Sequence, residues 1–289
     1  MRYWAEPKDI PELQDLFAFA RHKKMPLRII GAGSNLLVND GKIKGIVVKL
    51  SSARFKRITP CPAVPFYKAG SFAASRREPA HLRRKRANQR LISVGAGVSL
   101  ARLVSYTRRF GLSGCELLAG IPGTVGGALV MNAGGIGSSV SEVLVMDPSG
   151  RIKTLKNKDI RFGYRSSDLS RYVILGARLK LVKKSKTAIE KSINEYLIHR
   201  RETQDLSFPS AGCVFKNPHS RPAAYLIERC GLKGLSFGDA AVSNKHANFI
   251  INKGKASFSD IKRLMAHIAR CVRERFNVSL EPEIKIWRG

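Results

Sequence analysis

The sequence predicts a mixed fold of helices and strands in two domains, without the βαβ pattern of a doubly wound sheet, and three observations carry the prediction. Short apolar strands alternate with amphipathic helices through 289 residues, a length whose usual domain count is two. The strand Leu27–Ile30 runs into Gly31-Ala-Gly-Ser-Asn35 and then into another strand instead of a helix, which argues against a doubly wound parallel sheet. A charged helix near residues 187–201 then leads into a second set of elements with its own capped terminal helix.

Residues 2–5 read as the first strand. Asp9 is placed to cap a helix with Pro11 in its first turn, and Ile10, Leu13, Leu16, Phe17 and Ala20 share one face. Strands at 27–30, 36–38 and 45–50 follow, the last two parted by the turn Asn39-Asp-Gly41. From 53 to 90 the apolar periodicity disappears. Three prolines fall between Pro60 and Pro65, and eleven Lys/Arg from Arg54 to Arg90 face one acidic residue, Glu78, so the segment reads as an exposed basic insertion. Order returns with a strand at 91–94 and a helix through Leu100, Leu103, Val104 and Tyr106 that ends near Gly111. Strands at 141–147, 152–155 and 173–182 come next, with a polar loop Gly163-Tyr-Arg-Ser-Ser167 between the last two. The second set holds a loop from Ser210 to Pro218, a helix from Ala223 stopped by Gly231, and a long helix capped by Ser257 with Asp260 three residues on. Ile261, Leu264, Met265, Ile268, Cys271, Val272 and Phe276 line the core face of that helix, and residues 281–287 read as a terminal strand.

The formal net charge is +31, of which the 54–90 stretch supplies +10. The remainder is spread along the chain, which favours a surface that attracts polyanions over a single recognition helix. Cys61, Cys115, Cys213, Cys230 and Cys271 are odd in number and show no C-x-x-C pair, so neither a disulfide framework nor a metal site is expected. Apolar runs are too short to span a bilayer, and the start shows no export signal; a cytoplasmic address with no membrane partner is the expectation.

Two glycine-rich turns stand out. Gly31, Ala32, Gly33, Ser34 and Asn35 read either as an ordinary tight turn or as a nest in which backbone N–H groups and two polar side chains can meet a pyrophosphate, and the third glycine of a dinucleotide fingerprint is replaced by Leu36. Gly120 to Gly135 holds six glycines in sixteen residues, and Gly120, Pro122, Gly123, Thr124, Gly126 and Gly127 leave few side chains to block a flat or phosphorylated ligand. The competing reading is a tightly packed junction between loop and helix. Arg165 sits in a polar loop, Cys213 lies between Gly212 and Val214 with Lys216 and Asn217 close behind, and Glu283 interrupts an apolar terminal segment. A buried carboxylate without a partner is costly, so Glu283 either faces water or has a cation. His246 reads as a structural histidine.

Taken together, these motifs resemble the UDP-N-acetylenolpyruvoylglucosamine reductase family. The resemblance rests on Gly31-Ala-Gly-Ser-Asn-Leu-Leu37, Val94-Gly-Ala-Gly-Val98, Leu118-Ala-Gly-Ile-Pro-Gly-Thr-Val-Gly-Gly-Ala128 and Phe162-Gly-Tyr-Arg-Ser-Ser167 in the first half. Pro209-Ser-Ala-Gly-Cys-Val-Phe-Lys-Asn-Pro218, Asn244-Lys-His-Ala-Asn-Phe249 and Leu280-Glu-Pro-Glu-Ile284 carry it through the second. The resemblance implies an α+β fold with an FAD-binding domain of the vanillyl-alcohol-oxidase type over 1–184, with the insertion at 53–90 inside it. A smaller α+β substrate domain over 185–280 follows, and 281–289 returns to the flavin.

The implied chemistry uses non-covalent FAD, NADPH as reductant and a UDP-sugar substrate held by a monomer. Arg165 would stabilise the enolate, Cys213 would donate the proton in place of the family's usual serine, and Glu283 would orient the site. Tyr164, Lys216 and Asn217 would bind the nucleotide sugar. A thiol is a permissive replacement, since its ordinary pKa near ~8.5 lies well below that of a hydroxyl. Two departures follow: the chain starts near the family's second strand, which points to a truncated start or a more open flavin site, and the insertion matches nothing in the family pattern. A flavin-dependent sugar oxidase of the same fold, and a nucleic-acid-binding protein acting through Arg83–Arg86, are the alternatives. The Cys213 loop and Glu283 argue against the first. The lack of aromatics among the arginines argues against the second.

Overall fold

The computed structural model describes residues 3–60 and 88–288. Most of the expected basic insertion, including Arg83–Arg86, lies outside the described residues, as does Cys61. The described residues fall into two compact units whose ranges interleave along the chain.

One unit comprises Tyr3–Ala32 and Gly45–Tyr196. The helix Ile10–His22 is capped as its sequence predicts: Asp9 accepts the Glu12 N–H at 3.0 Å, and Leu13 and Ala20 are buried. It leads from Tyr3–Ala5 into a three-stranded parallel sheet in which Ile46–Lys49 lies between Tyr3–Ala5 and Leu27–Ile30. Ile46, Val47 and Val48 are all nearly inaccessible, as expected of a central strand covered on both faces.

An antiparallel sheet forms the rest of this unit, in the order Ile58–Pro60, Gln89–Gly95, Val173–Lys183, Val140–Met146, Ile152–Lys156. The ends of the expected insertion therefore belong to the sheet. Ile58 pairs with Val94, and Phe55 is buried to 2% exposure. A Cβ at Gly95 would stand 2.1 Å from the Phe55 carbonyl oxygen, and one at Gly97 would stand 1.9 Å from that of Leu50. The glycines of Gly95-Ala-Gly97 are thus demanded by close backbone approach. The polar loop expected at 163–167 is a tight hairpin of Phe162–Gly163 with Ser166–Ser167.

The other unit comprises Gly33–Lys44 and the described residues from Leu197 onward. Its antiparallel sheet runs Ser210–Cys213, Phe249–Asn252, Ala240–Val242, Ser236–Phe237. The helix Phe258–Phe276 covers it with Leu264, Met265, Ile268 and Val272 buried, and the Ser257–Asp260 capping box is complete. The terminal strand is shorter than expected, Lys285–Trp287 in place of 281–287. Glu281–Glu283 instead forms a single bridge, Phe215 with Pro282. Lys285–Trp287 then pairs in parallel with Leu36–Val38. Leu37, Val214, Phe215, Leu226, Ile227 and Ile284 share one core with the helix residues.

Candidate active site

The two glycine-rich turns meet. A Cβ placed on Gly31 would lie 2.7 Å from the Thr124 Oγ1, so residue 31 must be glycine for the turns to touch. Gly33, two residues on, has φ +75°, a conformation glycine adopts without strain. Ala32 is exposed, and Ser34 and Asn35 are half-buried. Thr124 caps a short helix, Val125–Met131, by accepting the Gly127 N–H at 3.4 Å. The helices expected from the sequence do not include this one. Its first amides are already engaged, Val125 with the Val98 carbonyl and Gly126 with that of Ala96, both at 2.9 Å.

The glycines of this stretch divide into two kinds. A Cβ at Gly126 would stand 3.1 Å from the Ala96 Cβ, and one at Gly134 would meet Leu118 at 2.9 Å. These are packing glycines, as the loop–helix alternative requires. Gly127 differs: it is exposed, helical, and a Cβ there would meet only the Thr124 Oγ1, at 3.6 Å. Glycine in a helix costs about 1 kcal/mol relative to alanine, and here neither backbone nor packing asks for it. Gly135 likewise faces nothing within 4 Å. Such open space beside Gly31 and Thr124 is a cradle that side chains would fill. Gly120 and Gly123, with φ of +72° and +154°, shape the approach around Pro122.

Tyr164 and Arg165 are the two turn residues of the 162–167 hairpin. Arg165 takes φ +52°, in the left-handed region, where asparagine or glycine is usual. Two contacts hold it there. Asn132 donates from Nδ2 to the Gly163 carbonyl at 3.0 Å while its Oδ1 accepts the Gly137 N–H, and the Ser167 hydroxyl reaches the Leu129 carbonyl at 2.9 Å. The hairpin is thereby fixed to the C-terminal end of the Val125–Met131 helix. Arg165 is half-buried with its guanidinium carbon 5.9 Å from the centre of the exposed Tyr164 ring.

In the other unit, Cys213, Lys216 and Glu283 are brought together by a backbone strip, Val214–Lys216. Glu283 donates its N–H to the Val214 carbonyl at 2.8 Å, and Lys216 donates its own to the Glu281 carbonyl at 2.8 Å. Glu283 is 8% exposed, so the water-facing alternative is excluded. Cys213 is half-buried and follows Gly212, whose φ is +78°. The Lys216 ammonium pairs with the Glu281 carboxylate at 2.5 Å. Asn217 is exposed, and its Oδ1 accepts the first N–H of the Ala223–Arg229 helix at 3.0 Å. His246 is structural: its Nδ1 accepts the Asn248 N–H at 3.2 Å, and burial pushes its pKa down.

Two residues that organise these segments, Asn132 and Asn248, escaped the sequence reading. The first could have been found from its place after a helix, where asparagine tolerates the left-handed conformation it adopts, φ +46°. The second acts through non-local pairing that no local pattern signals.

Among the described residues no helix is long and apolar enough to cross a membrane. A family model for the C-terminal domain of UDP-N-acetylenolpyruvoylglucosamine reductase matches residues 204–287, and an FAD-binding domain model matches 1–63 and 80–156. The chain is 38% identical over 290 residues to the UDP-N-acetylenolpyruvoylglucosamine reductase of Agathobacter rectalis, covering 98% of this chain and 87% of that protein. It is 39% identical over 288 residues to that of Caldanaerobacter subterraneus, covering 98% and 86%. The crystal structure of the corresponding Thermus caldophilus reductase superposes with a TM-score of 0.76 at 32% identity, covering 99% of this chain and 92% of that one.

Proposed function

Because the chain belongs to the UDP-N-acetylenolpyruvoylglucosamine reductase family, we propose that it reduces UDP-N-acetylglucosamine enolpyruvate to UDP-N-acetylmuramate for peptidoglycan synthesis. The fold pairs an FAD-binding portion of the vanillyl-alcohol-oxidase type with the family's C-terminal domain. Residues 1–184 are assigned to the flavin, 185–280 to the substrate, and 281–289 to the return toward the flavin. The cradle beside Gly31, Thr124 and Gly127 supports FAD, since open backbone is what close approach of a cofactor requires. Gly31, Ala32, Gly33, Ser34 and Asn35 would hold it on one turn, and Gly120, Pro122, Gly123, Thr124 and Gly127 on the other, with Gly126 packing the helix against Ala96 behind them. Bound FAD supplies the hydride chemistry, accepting from NADPH and delivering to C3 of the enolpyruvyl ether.

The protein's task is to manage charge and one proton. As C3 gains hydride, the electron pair of the C2–C3 double bond moves onto C2 and into the carboxylate. Arg165 is assigned as the fixed cation beside that charge; its hairpin anchors at Asn132 and Ser167 make it preorganised, the condition for electrostatic stabilisation without reorganisation. Cys213 is assigned as the acid that gives its thiol proton to C2. Glu283 orients the site, and Tyr164, Lys216 and Asn217 bind the nucleotide sugar, with the Lys216–Glu281 pair opening to admit an anion. The observation that carries the reading is the placement of buried Glu283 on Val214, the neighbour of Cys213. The protein is assigned to the cytoplasm as a monomer that needs no membrane or nucleic acid.

The test is spectroscopic. The purified protein should be yellow, bleach with NADPH without oxygen, and recover its colour stoichiometrically on adding UDP-N-acetylglucosamine enolpyruvate. Flavin that a sugar alcohol bleaches where NADPH does not, and that oxygen but not the enolpyruvate recolours, would overturn the proposal in favour of an oxidase.

A further inference from the structure

Asn248 is 2% exposed, and its amide meets the same residue twice. Its Oδ1 accepts the Phe215 N–H at 3.0 Å, and its Nδ2 donates to the Phe215 carbonyl at 2.8 Å. A backbone N–H can only donate and a carbonyl only accept, so the orientation of the amide is set by the strip it grips. The Asn248 carbonyl adds a third bond, accepting the Val214 N–H at 2.9 Å.

The location explains the need for this grip. Asn248 immediately precedes the strand Phe249–Asn252, whose pairing with Ser210–Cys213 is irregular, matching Ser210 with Ile251 but Cys213 with Phe249. The chain beyond Cys213 therefore leaves the regular ladder. Without another partner, the polar groups of buried Phe215 would go unsatisfied. Asn248 replaces the missing rungs with a side chain. On the opposite side, the same strip takes Glu283 at Val214 and Glu281 at Lys216. One buried amide thus fixes the segment that carries Cys213 and Lys216 against the one that carries Glu283.

We infer that Asn248 is a positioning residue for the reduction, holding the proton-donating thiol of Cys213 in register with Glu283. The inference rests on the proposed role of Cys213. A donor displaced by about 1 Å can lose roughly a hundredfold in rate, and the Asn248 grip acts one and two residues from the thiol. The Nδ1 of His246, whose pKa burial pushes down, accepts the Asn248 N–H and holds its main chain in turn.

The test uses the FAD-loaded holoenzyme with Asn248→Ala and Asn248→Asp. Flavin bleaching by NADPH should proceed at the parent rate in both. Reoxidation by UDP-N-acetylglucosamine enolpyruvate should slow about a hundredfold in Asn248→Ala. In Asn248→Asp it should slow about tenfold, because the bond from the Phe215 N–H survives and only the donation to the Phe215 carbonyl is lost. Two readings independent of turnover accompany this: hydrogen exchange at the Phe215 amide, and the alkylation rate of Cys213 located by peptide mass spectrometry. Both should change severalfold in Asn248→Ala.

Unaltered reoxidation, with or without faster Phe215 exchange, would overturn the inference. So would equal slowing of bleaching and reoxidation, or collapse of both variants, since each would make Asn248 a general support of the fold. Should the parent protein itself fail to react with the enolpyruvate, the functional reading falls. The exchange and alkylation measurements then decide whether Asn248 positions the strip.

Discussion

The Asn35 side-chain amide donates to the main-chain carbonyl of Glu283 at 3.5 Å, and the Asn35 carbonyl accepts the Lys285 N–H at 3.0 Å. Since the Glu283 N–H is also taken, by the Val214 carbonyl, the backbone of this residue is held on both sides whatever its side chain does. The residue can therefore be changed without moving it. Glu283→Gln should fold, keep FAD and lose at least about a hundredfold in kcat, because it preserves shape and removes charge. Turnover and melting temperature measured together check this; parental kcat would remove Glu283 from the mechanism.

Cys213→Ser should retain turnover and Cys213→Ala should lose it by about two to four orders of magnitude, the usual worth of a positioned acid, while NADPH still bleaches the flavin. Alkylation should inactivate the parent and spare Cys213→Ser. Cys115 will not confuse the result, since it is 1% exposed and burial pushes its thiol up to about 12. Full turnover in Cys213→Ala would show that another group delivers the proton.

Gly127→Ala separates cofactor approach from packing. The site is helical and open, so alanine should raise the melting temperature of flavin-free protein, by an amount corresponding to about 0.5–1 kcal/mol. FAD affinity should fall at least tenfold. Titration calorimetry and thermal melts read the two effects separately, and unchanged affinity would mean that the cradle faces solvent alone.

Asp147 joins the strands Val140–Met146 and Ile152–Lys156 by accepting from the Ser149 hydroxyl and N–H and the Arg151 N–H, with Lys153 Nζ at 2.9 Å. The Ser149 hydroxyl first, and Lys153 next, hold its carboxyl well below the usual carboxylate range. A carboxyl lowered in the folded state stabilises that state above its unfolded pKa of about 3.9 and loses the effect as pH falls toward the folded value. Asp147→Asn should therefore melt below the parent at pH 7, with the gap narrowing below about pH 4. A gap independent of pH would assign the loss to hydrogen-bond geometry instead of charge.

What was legible in the sequence was local. The Asp9 cap, the Ser257–Asp260 box and the left-handed glycines are set by a few neighbouring residues, and each lies where composition puts it. The family motifs placed Arg165, Cys213 and Glu283, but not what holds them. The Tyr164–Arg165 turn was unreadable because it lacks the glycine or asparagine that marks a tight hairpin, and its cost is met by Asn132 and Ser167 from elsewhere in the fold. Residues 58–60 and 89–90 were hidden for a different reason: they flank a basic, proline-rich stretch whose composition says nothing of sheet, and their partners, 92–94 and 181–182, are not signalled locally. The terminal segment was overextended because alternating side chains cannot report a change of partner, from the Val214–Lys216 strip at 281–283 to Leu36–Val38 at 285–287.

The strand Leu36–Val38 finds its parallel partner about 250 residues later, in Lys285–Trp287. That early strand stays without its ladder until two segments this far apart in sequence meet, and the loop-closure entropy of that meeting must be overcome before the core shared by Leu37 and Ile284 is complete. Until then the edge of Leu36–Val38 is open to other chains, and strand addition there is the misassembly to expect of a partly folded copy.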